Sequence, residues 1–317
     1  MRALITGITG FVGSNLEKAL KQQGYEVWGT TRNSCSRADH SGIENNIIQI
    51  DYNSEEKIIE LINKIKPDEI YHLAGQSSVK YSWDNKIETF ETNIIITLRL
   101  LEALRKSDMA EITKLILVGS SEEYGSIDNG DIAIRETENL RPISPYGVSK
   151  ASTSLLFQQY VRVYGLKLIY TRPFNHIGPG QELGFVTSDF AQQISRIEKN
   201  ILEPVISVGN LEARRDFTDV RDIVRAYIML AQRGKVGEMY NISSGEPLSI
   251  KYILDYLLSL STHKNIKIQQ DDKKMRPSEF PIYIGDSTKI KEAIGWEKEY
   301  SIEQSLQDIL DYWRNLA

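Results

Sequence analysis

The chain opens on an apolar run, Arg2 to Thr6, which passes directly into Gly7-Ile-Thr-Gly10-Phe-Val-Gly13. A helical pattern through Leu16, Ala19 and Leu20 follows and is closed by Gly24. No other stretch restricts the fold as much. Strand, glycine turn and helix in that order begin a parallel α/β sheet, and they are the context a dinucleotide fingerprint requires. Gly7 is expected to allow the tight turn and Gly10 the approach of backbone to a pyrophosphate. Gly13 lets helix and strand pack closely, with the helix N-terminus facing the phosphates. Thr9, Phe11 and Val12 belong to the same cofactor-binding turn.

The next strand, Glu26 to Thr31, ends at Arg32, with Arg37 nearby. A carboxylate here would accept hydrogen bonds from an adenosine ribose, whereas a guanidinium suits a 2'-phosphate. NADPH is therefore the expected cofactor, with NADH as the alternative. Ile47 to Ile50 is a third strand, and Asp51 and Tyr52 after it border the adenine. Glu55 to Ile65 is amphipathic. The strand Ile70 to Leu73 runs into Ala74-Gly75-Gln76, small residues that let the cofactor's ribose approach. A helix from about Asp84 to Lys106 carries Phe90, Ile94, Leu98 and Leu101 on one side, and contains Asn93, whose amide needs partners if it is buried. Leu115 to Val118 is all apolar and ends in Gly119-Ser-Ser-Glu-Glu-Tyr-Gly125. Ligands bind at the carboxyl ends of strands in open α/β sheets.

Ser144-Pro-Tyr146-Gly-Val-Ser-Lys150 then starts a helix running to about Tyr164. Tyr146 and Lys150, four residues apart, leave the same helix face. An ammonium beside a phenol stabilises the phenolate, so the pair is expected to exchange a proton with a hydroxyl or carbonyl near neutral pH. Tyrosine and lysine at this spacing also recur on solvated helix faces; their place after a polar strand end singles these out. Leu166 to Thr171 forms the next strand and leads into Arg172-Pro-Phe-Asn-His176.

Strand-helix alternation over residues 1–175 argues for a doubly wound parallel sheet of α/β class, the dinucleotide-binding domain. The rhythm breaks beyond it. Residues 176–317 read as a smaller α/β domain, mainly for substrate, with the helix 220–232 packing back on the first. A chain of 317 residues, 41% hydrophobic and 26% charged, is an ordinary soluble globular one. The net charge of -5 argues against a general nucleic-acid binder. No apolar run approaches membrane-spanning length, and no signal-peptide h-region follows Met1. With the single Cys35 these features point to the cytoplasm. The four histidines, His40, His72, His176 and His263, have no metal-site spacing.

Thr6-Gly-Ile-Thr-Gly-Phe-Val-Gly13, Ser120 with Tyr146 and Lys150, and Arg172-Pro-Phe-Asn175 stand in the order of the extended short-chain dehydrogenases/reductases. The chain resembles the nucleotide-sugar-modifying branch of that family over essentially its whole length. Pro67-Asp-Glu-Ile-Tyr-His-Leu-Ala-Gly-Gln-Ser-Ser78, Phe174-Asn-His176, Gly209-Asn-Leu-Glu-Ala-Arg-Arg-Asp216 and Arg276-Pro-Ser-Glu279 are similar to GDP-mannose 4,6-dehydratases and to their relatives, the GDP-4-keto-6-deoxy-D-mannose reductases. The resemblance implies a Rossmann-type sheet in which Tyr146 is the acid/base, Lys150 holds the nicotinamide ribose, and Ser120 hydrogen-bonds the reacting oxygen. It places Glu122 where a dehydratase keeps the base for the C5 proton. It sets Leu73, Ala74, Gly75, Asn93, Val118, Pro173 and Phe174 along the cofactor, and Gln76, Ser121, Asn175, Val186 and Val205 along the substrate. Arg215 and Arg276 would meet the diphosphate of GDP and Glu279 its ribose, a bidentate arginine suiting phosphate and a carboxylate suiting a diol.

Dehydratases of this group resemble one another in a long arginine-rich loop after the second strand, used for tetramer contacts, and in a basic segment after Phe-Asn-His. Here Thr31-Arg-Asn-Ser-Cys-Ser-Arg37 is short, and Ile177-Gly-Pro-Gly-Gln181 takes the basic segment's place. The expectation is NADPH-dependent reduction of the 4-keto group of GDP-4-keto-6-deoxy-D-mannose to GDP-D-rhamnose. A GDP-mannose 4,6-dehydratase is the alternative. A non-catalytic dinucleotide sensor is a third reading, opposed by the intact Ser120, Tyr146 and Lys150. A homodimer is expected, the helices at 84–106 and 144–164 either pairing across a two-fold axis as in related proteins or each covering its own sheet; no nucleic-acid or membrane partner is expected.

Overall fold

The computed structural model describes residues 1–32, 46–127, 132–274 and 282–316. Cys35, Arg37, His40, Arg276 and Glu279 lie outside them. In chain order the first elements are β1 (Arg2–Thr6), α1 (Phe11–Gln22), β2 (Glu26–Thr31), β3 (Ile47–Gln49), α2 (Glu55–Ile65) and β4 (Glu69–His72). Then come α3 (Val79–Asp84), α4 (Lys86–Phe90), a π-helical stretch (Glu91–Ile95), α5 (Ile96–Lys106), β5 (Lys114–Val118), a 3-10 turn (Ser121–Glu123), α6 (Pro145–Tyr164) and β6 (Leu168–Pro173). The rest runs β7 (Asn175–Ile177), α7 (Val186–Glu198), β8 (Val205–Val208), β9 (Arg214–Asp219), α8 (Val220–Arg233), β10 (Met239–Ile242) and β11 (Pro247–Ser249). It ends with α9 (Ile250–Ser259), β12 (Lys267–Gln270), β13 (Ile282–Tyr283), α10 (Thr288–Ile294) and α11 (Ile302–Leu316).

Seven strands hydrogen-bond in the order β3-β2-β1-β4-β5-β6-β10, every neighbouring pair parallel. Side chains alternate across a strand, so this sheet has two apolar faces. Ala3, Ile5, Tyr71, Ile116 and Ile169 face α1, α8 and α10, with Trp296 completing that layer. Leu4, Ile70, Leu115, Leu117 and Leu168 face α2, α5 and α6. Each fully buried leucine or isoleucine is worth about 1.5–3 kcal/mol, which is why these runs read as strands without polar interruption. The chain therefore crosses residue 175 and comes back: α8, β10 and α10 all join the large sheet. A small sheet in the order β11-β9-β13, with β7 also on β9, and the pair β12-β8 form the other lobe. They pack with α7, α9 and α11 around Phe190, Ile194, Leu254 and Ile309.

Two expectations change. The single helix over 84–106 is three helices and a π-helical stretch, beginning at Val79 behind a Ser78 cap that accepts from the Tyr81 amide at 3.1 Å. The strand expected over 166–171 runs Leu168–Pro173 instead, because β5 pairs with it from Leu168 and β10 carries the pairing on to Pro173.

Candidate active site

All seven large-sheet strands are parallel, so their carboxyl ends share one edge. The strand order reverses between β1 and β4, the switch point at which open α/β sheets bind their ligands. Gly7, at φ +74°, brings its loop against the other: a Cβ there would lie 2.9 Å from the Ala74 amide. A Cβ on Gly13 would sit 2.3 Å from the Gly7 carbonyl oxygen, so only glycine lets α1 start this close to the turn. The first turn of α1 has no acidic residue, and its N-cap, Gly10, has no side chain to occupy the free amides. Backbone donors with no competing side chain fit an anion such as a pyrophosphate. Thr9, Phe11 and Val12 line the same turn, partly exposed. Leu73, Ala74 and Gly75 lie across from it, and Arg32 is exposed at the end of β2.

Three residues expected along the cofactor turn inward. Asp51 is exposed, but the Tyr52 ring is buried and its hydroxyl meets Thr30 Oγ1 at 2.5 Å, burial pushing that phenol up to about 12. Phe174 is buried against Tyr124 and Tyr283. Asn93 uses its amide internally: Oδ1 accepts from the Gln76 amide at 2.8 Å, and Nδ2 donates to the Gln76 carbonyl at 3.1 Å and Ser149 Oγ at 2.9 Å. It shapes the loop from beneath. Its place in the π-helical stretch, where an extra residue bulges the helix, aims it there.

The helix α6 is built by local rules. Ser144 caps α6 by accepting from the Gly147 amide at 3.0 Å, Pro145 takes the first position, and Ser82 Oγ accepts from the Tyr146 amide at 3.2 Å. Tyr146 and Lys150 then point at the carboxyl ends of β4 and β5. Lys150 Nζ donates to the Val118 carbonyl at 2.8 Å and lies 3.8 Å from where a Cβ on Gly75 would be. Tyr146 is 7% exposed, and Ser120 lies close enough to its hydroxyl to act on it.

The expected acidic phenol is corrected here. Burial pushes the Tyr146 hydroxyl well above the ordinary phenol value, with Ser120 pulling down and Glu122 and Glu123 pushing further up. Burial likewise pulls Lys150 down to about 8, against the pull of Glu123. Desolvation is the largest cause of both shifts. Tyr146 thus holds its proton at neutral pH.

Glu122 lies close enough to Tyr146 for its charge to act on that hydroxyl. Ser121 is buried, and its carbonyl accepts from the Tyr283 hydroxyl at 2.6 Å. Gln76, half-buried, donates to the Ser78 carbonyl at 2.6 Å while its Oε1, buried, is without a hydrogen-bond partner. Pro173 is buried at the end of β6, and Asn175 is exposed at the start of β7. Val186 opens α7, Val205 opens β8 and Arg215 lies on β9, each half-buried in the smaller lobe.

Sequence reading missed the buried polar groups beneath the site. His72 bridges Thr6 Oγ1 at 2.8 Å and Thr97 Oγ1 at 2.9 Å, and Thr97 donates to the Asn93 carbonyl at 2.6 Å. Thr97 has only one proton, so the His72 Nε2–H must donate to it and Nδ1 accepts from Thr6. Burial holds that imidazole down at about 3, hence neutral. A lone histidine at the end of a buried strand was the available signal. Glu123 and Arg172, both buried, form an ion pair at 2.7 Å, and the only sequence hint was an arginine at the end of a buried strand.

The sequence profile described as GDP-mannose 4,6 dehydratase matches residues 4–309. The GDP-6-deoxy-D-mannose reductase of Pseudomonas aeruginosa is 31% identical over 314 residues, covering 99% of this chain and 97% of that protein. The human GDP-mannose 4,6 dehydratase is 30% identical over 337 residues, covering 97% of this chain and 90% of that one. That alignment is longer than the 317 residues of this chain, so the human protein carries segments it lacks. Among solved structures, the NADPH complex of RMD from Pseudomonas aeruginosa superposes with a TM-score of 0.88 at 30% identity, covering all of both chains.

Proposed function

The chain belongs to the GDP-mannose 4,6-dehydratase family, and on that premise we propose that it reduces the 4-keto group of GDP-4-keto-6-deoxy-D-mannose with NADPH, giving GDP-D-rhamnose. The observation that carries the reading is the buried Tyr146 hydroxyl beside Ser120, on the helix that also carries Lys150. Reduction needs a donor to the oxygen at C4, and this phenol is one at neutral pH. The glycine turn and Arg32 would hold the cofactor, which supplies the hydride. Ser120 orients the substrate oxygen, Tyr146 passes its proton to the alkoxide as that forms, and Lys150 stabilises the phenolate left behind. Arg215 would bind the diphosphate.

Length supports the same choice: the chain matches the reductase end to end, whereas the dehydratase alignment needs extra segments. The dehydratase reading keeps one observation, Glu122 beside Tyr146, where a base for the C5 proton belongs. Incubation with the keto-sugar nucleotide and NADPH separates the two. A reductase oxidises one NADPH for each sugar reduced; a dehydratase turns over GDP-mannose with no net consumption. Glu122→Gln should dent reduction by only a few-fold, and loss of all activity in that variant would favour the dehydratase.

We further place the protein in the cytoplasm as a homodimer. Among the described residues no helix is long and apolar enough to cross a membrane. Val148, Leu155 and Val163 form an exposed apolar stripe on α6, beside exposed Ile87 and Ile95 on the neighbouring helices, and a two-fold partner would cover both.

A further inference from the structure

The geometry points to Glu123, paired with Arg172, as a positioning residue that holds the Ser120 turn and the first turns of α6 in one register. This deepens the reading of Tyr146, Ser120 and Lys150 given above and rests on it. Glu123 is fully buried, and each of its oxygens is committed. Oε1 accepts from the Ser120 amide at 2.9 Å and from the Tyr170 hydroxyl at 2.7 Å. Oε2 accepts from Arg172 Nε at 2.7 Å. The Tyr170 hydroxyl lies in turn 3.0 Å from the Lys150 carbonyl and from Thr153 Oγ1. One carboxylate thus touches the turn that carries Ser120 and, through one phenol, the helix that carries Tyr146 and Lys150.

Room for this carboxylate comes from Gly119, where a Cβ would lie 2.2 Å from Glu123 Oε1 and 2.3 Å from the Tyr170 hydroxyl. Arg172 is anchored on its other side: Nη1 donates to the Tyr124 hydroxyl at 3.2 Å, and the guanidinium lies 4.9 Å from the Tyr124 ring centre. Tyr124 donates to Asn241 Oδ1 at 2.6 Å, tying the pair to β10. Stability alone does not account for it, since exchanging a buried ion pair for apolar side chains is often neutral or stabilising. What such a pair supplies that leucine cannot is a directed acceptor for the Ser120 amide. A site displaced by about 1 Å loses roughly 100-fold in rate.

The test uses the full chain with NADPH and the keto-sugar nucleotide. The double variant Glu123→Leu with Arg172→Leu removes both charges, leaving neither unpaired. The expected result is a kcat lower by about 10- to 100-fold, with KM for the sugar and Kd for NADPH within about three-fold of wild type. Tyr170→Phe, which keeps both charges, should lower kcat by a few-fold with the same split. Unchanged kcat in the double variant overturns the proposal. So does a parallel loss of kcat, sugar affinity, NADPH affinity and thermal stability, which would mark the pair as general scaffolding. Wild-type protein is the control: if it oxidises no NADPH with this sugar, the function assigned above fails, a result separate from any difference between variants.

Discussion

Two loops at the same sheet edge solve different problems with different materials. The turn after β1 is built by leaving side chains out: Gly7, Gly10 and Gly13 expose main-chain amides, and no acidic residue enters the first turn of α1. The turn after β5 is built by packing side chains in, with Ser120 above a fully buried Glu123 that Arg172 and Tyr170 hold in place. Anchoring an anion asks only for several donors pointing one way, which bare backbone supplies. Moving a proton asks for particular atoms at particular distances, and only braced side chains supply those.

The sharpest break in that contrast is Tyr146→Phe. It should cost about 10²–10⁴-fold in kcat, with NADPH affinity unchanged by fluorescence titration. A Phe variant that keeps its rate would end the distinction between the two loops. Gly13→Ala is the mirror experiment. Its Cβ would lie 2.3 Å from the Gly7 carbonyl, so the turn must shift, at about 1–3 kcal/mol in thermal melts. NADPH affinity should fall with stability while kcat at saturating cofactor changes little.

Acidity offers a finer separation. Lys150 titrates at about 8, below its ordinary 10.5, because of burial, so the ammonium is lost as pH rises through about 8 and kcat/KM should fall there. The folded protein holds this proton less tightly than the unfolded chain. Between those two values the unfolded state binds more protons, and this lysine's contribution to stability grows with pH. Activity falling while melting temperature holds or rises is the expected signature; a joint fall would point to alkaline unfolding instead. The smallest effect belongs to Arg32. Arg32→Ala should raise KM for NADPH by about five-fold and leave NADH unaffected, as suits one exposed charged contact.

Much of this was legible in the chain because it rests on short-range rules. Gly7 to Gly13 behind an apolar strand, and Ser144-Pro145 ahead of Tyr146 and Lys150, each set their own turn and helix start within a few residues. The seven-stranded parallel sheet and the family follow from such units in series. Tertiary structure alone decided what those side chains meet. It brought Glu123 to Arg172 and Tyr170, residues 49 and 47 positions away, and it turned Asn93 and Tyr52 inward. It also reversed the expected acidity of Tyr146. Desolvation depends on everything packed around a group, and a spacing of four along a helix carries no information about that.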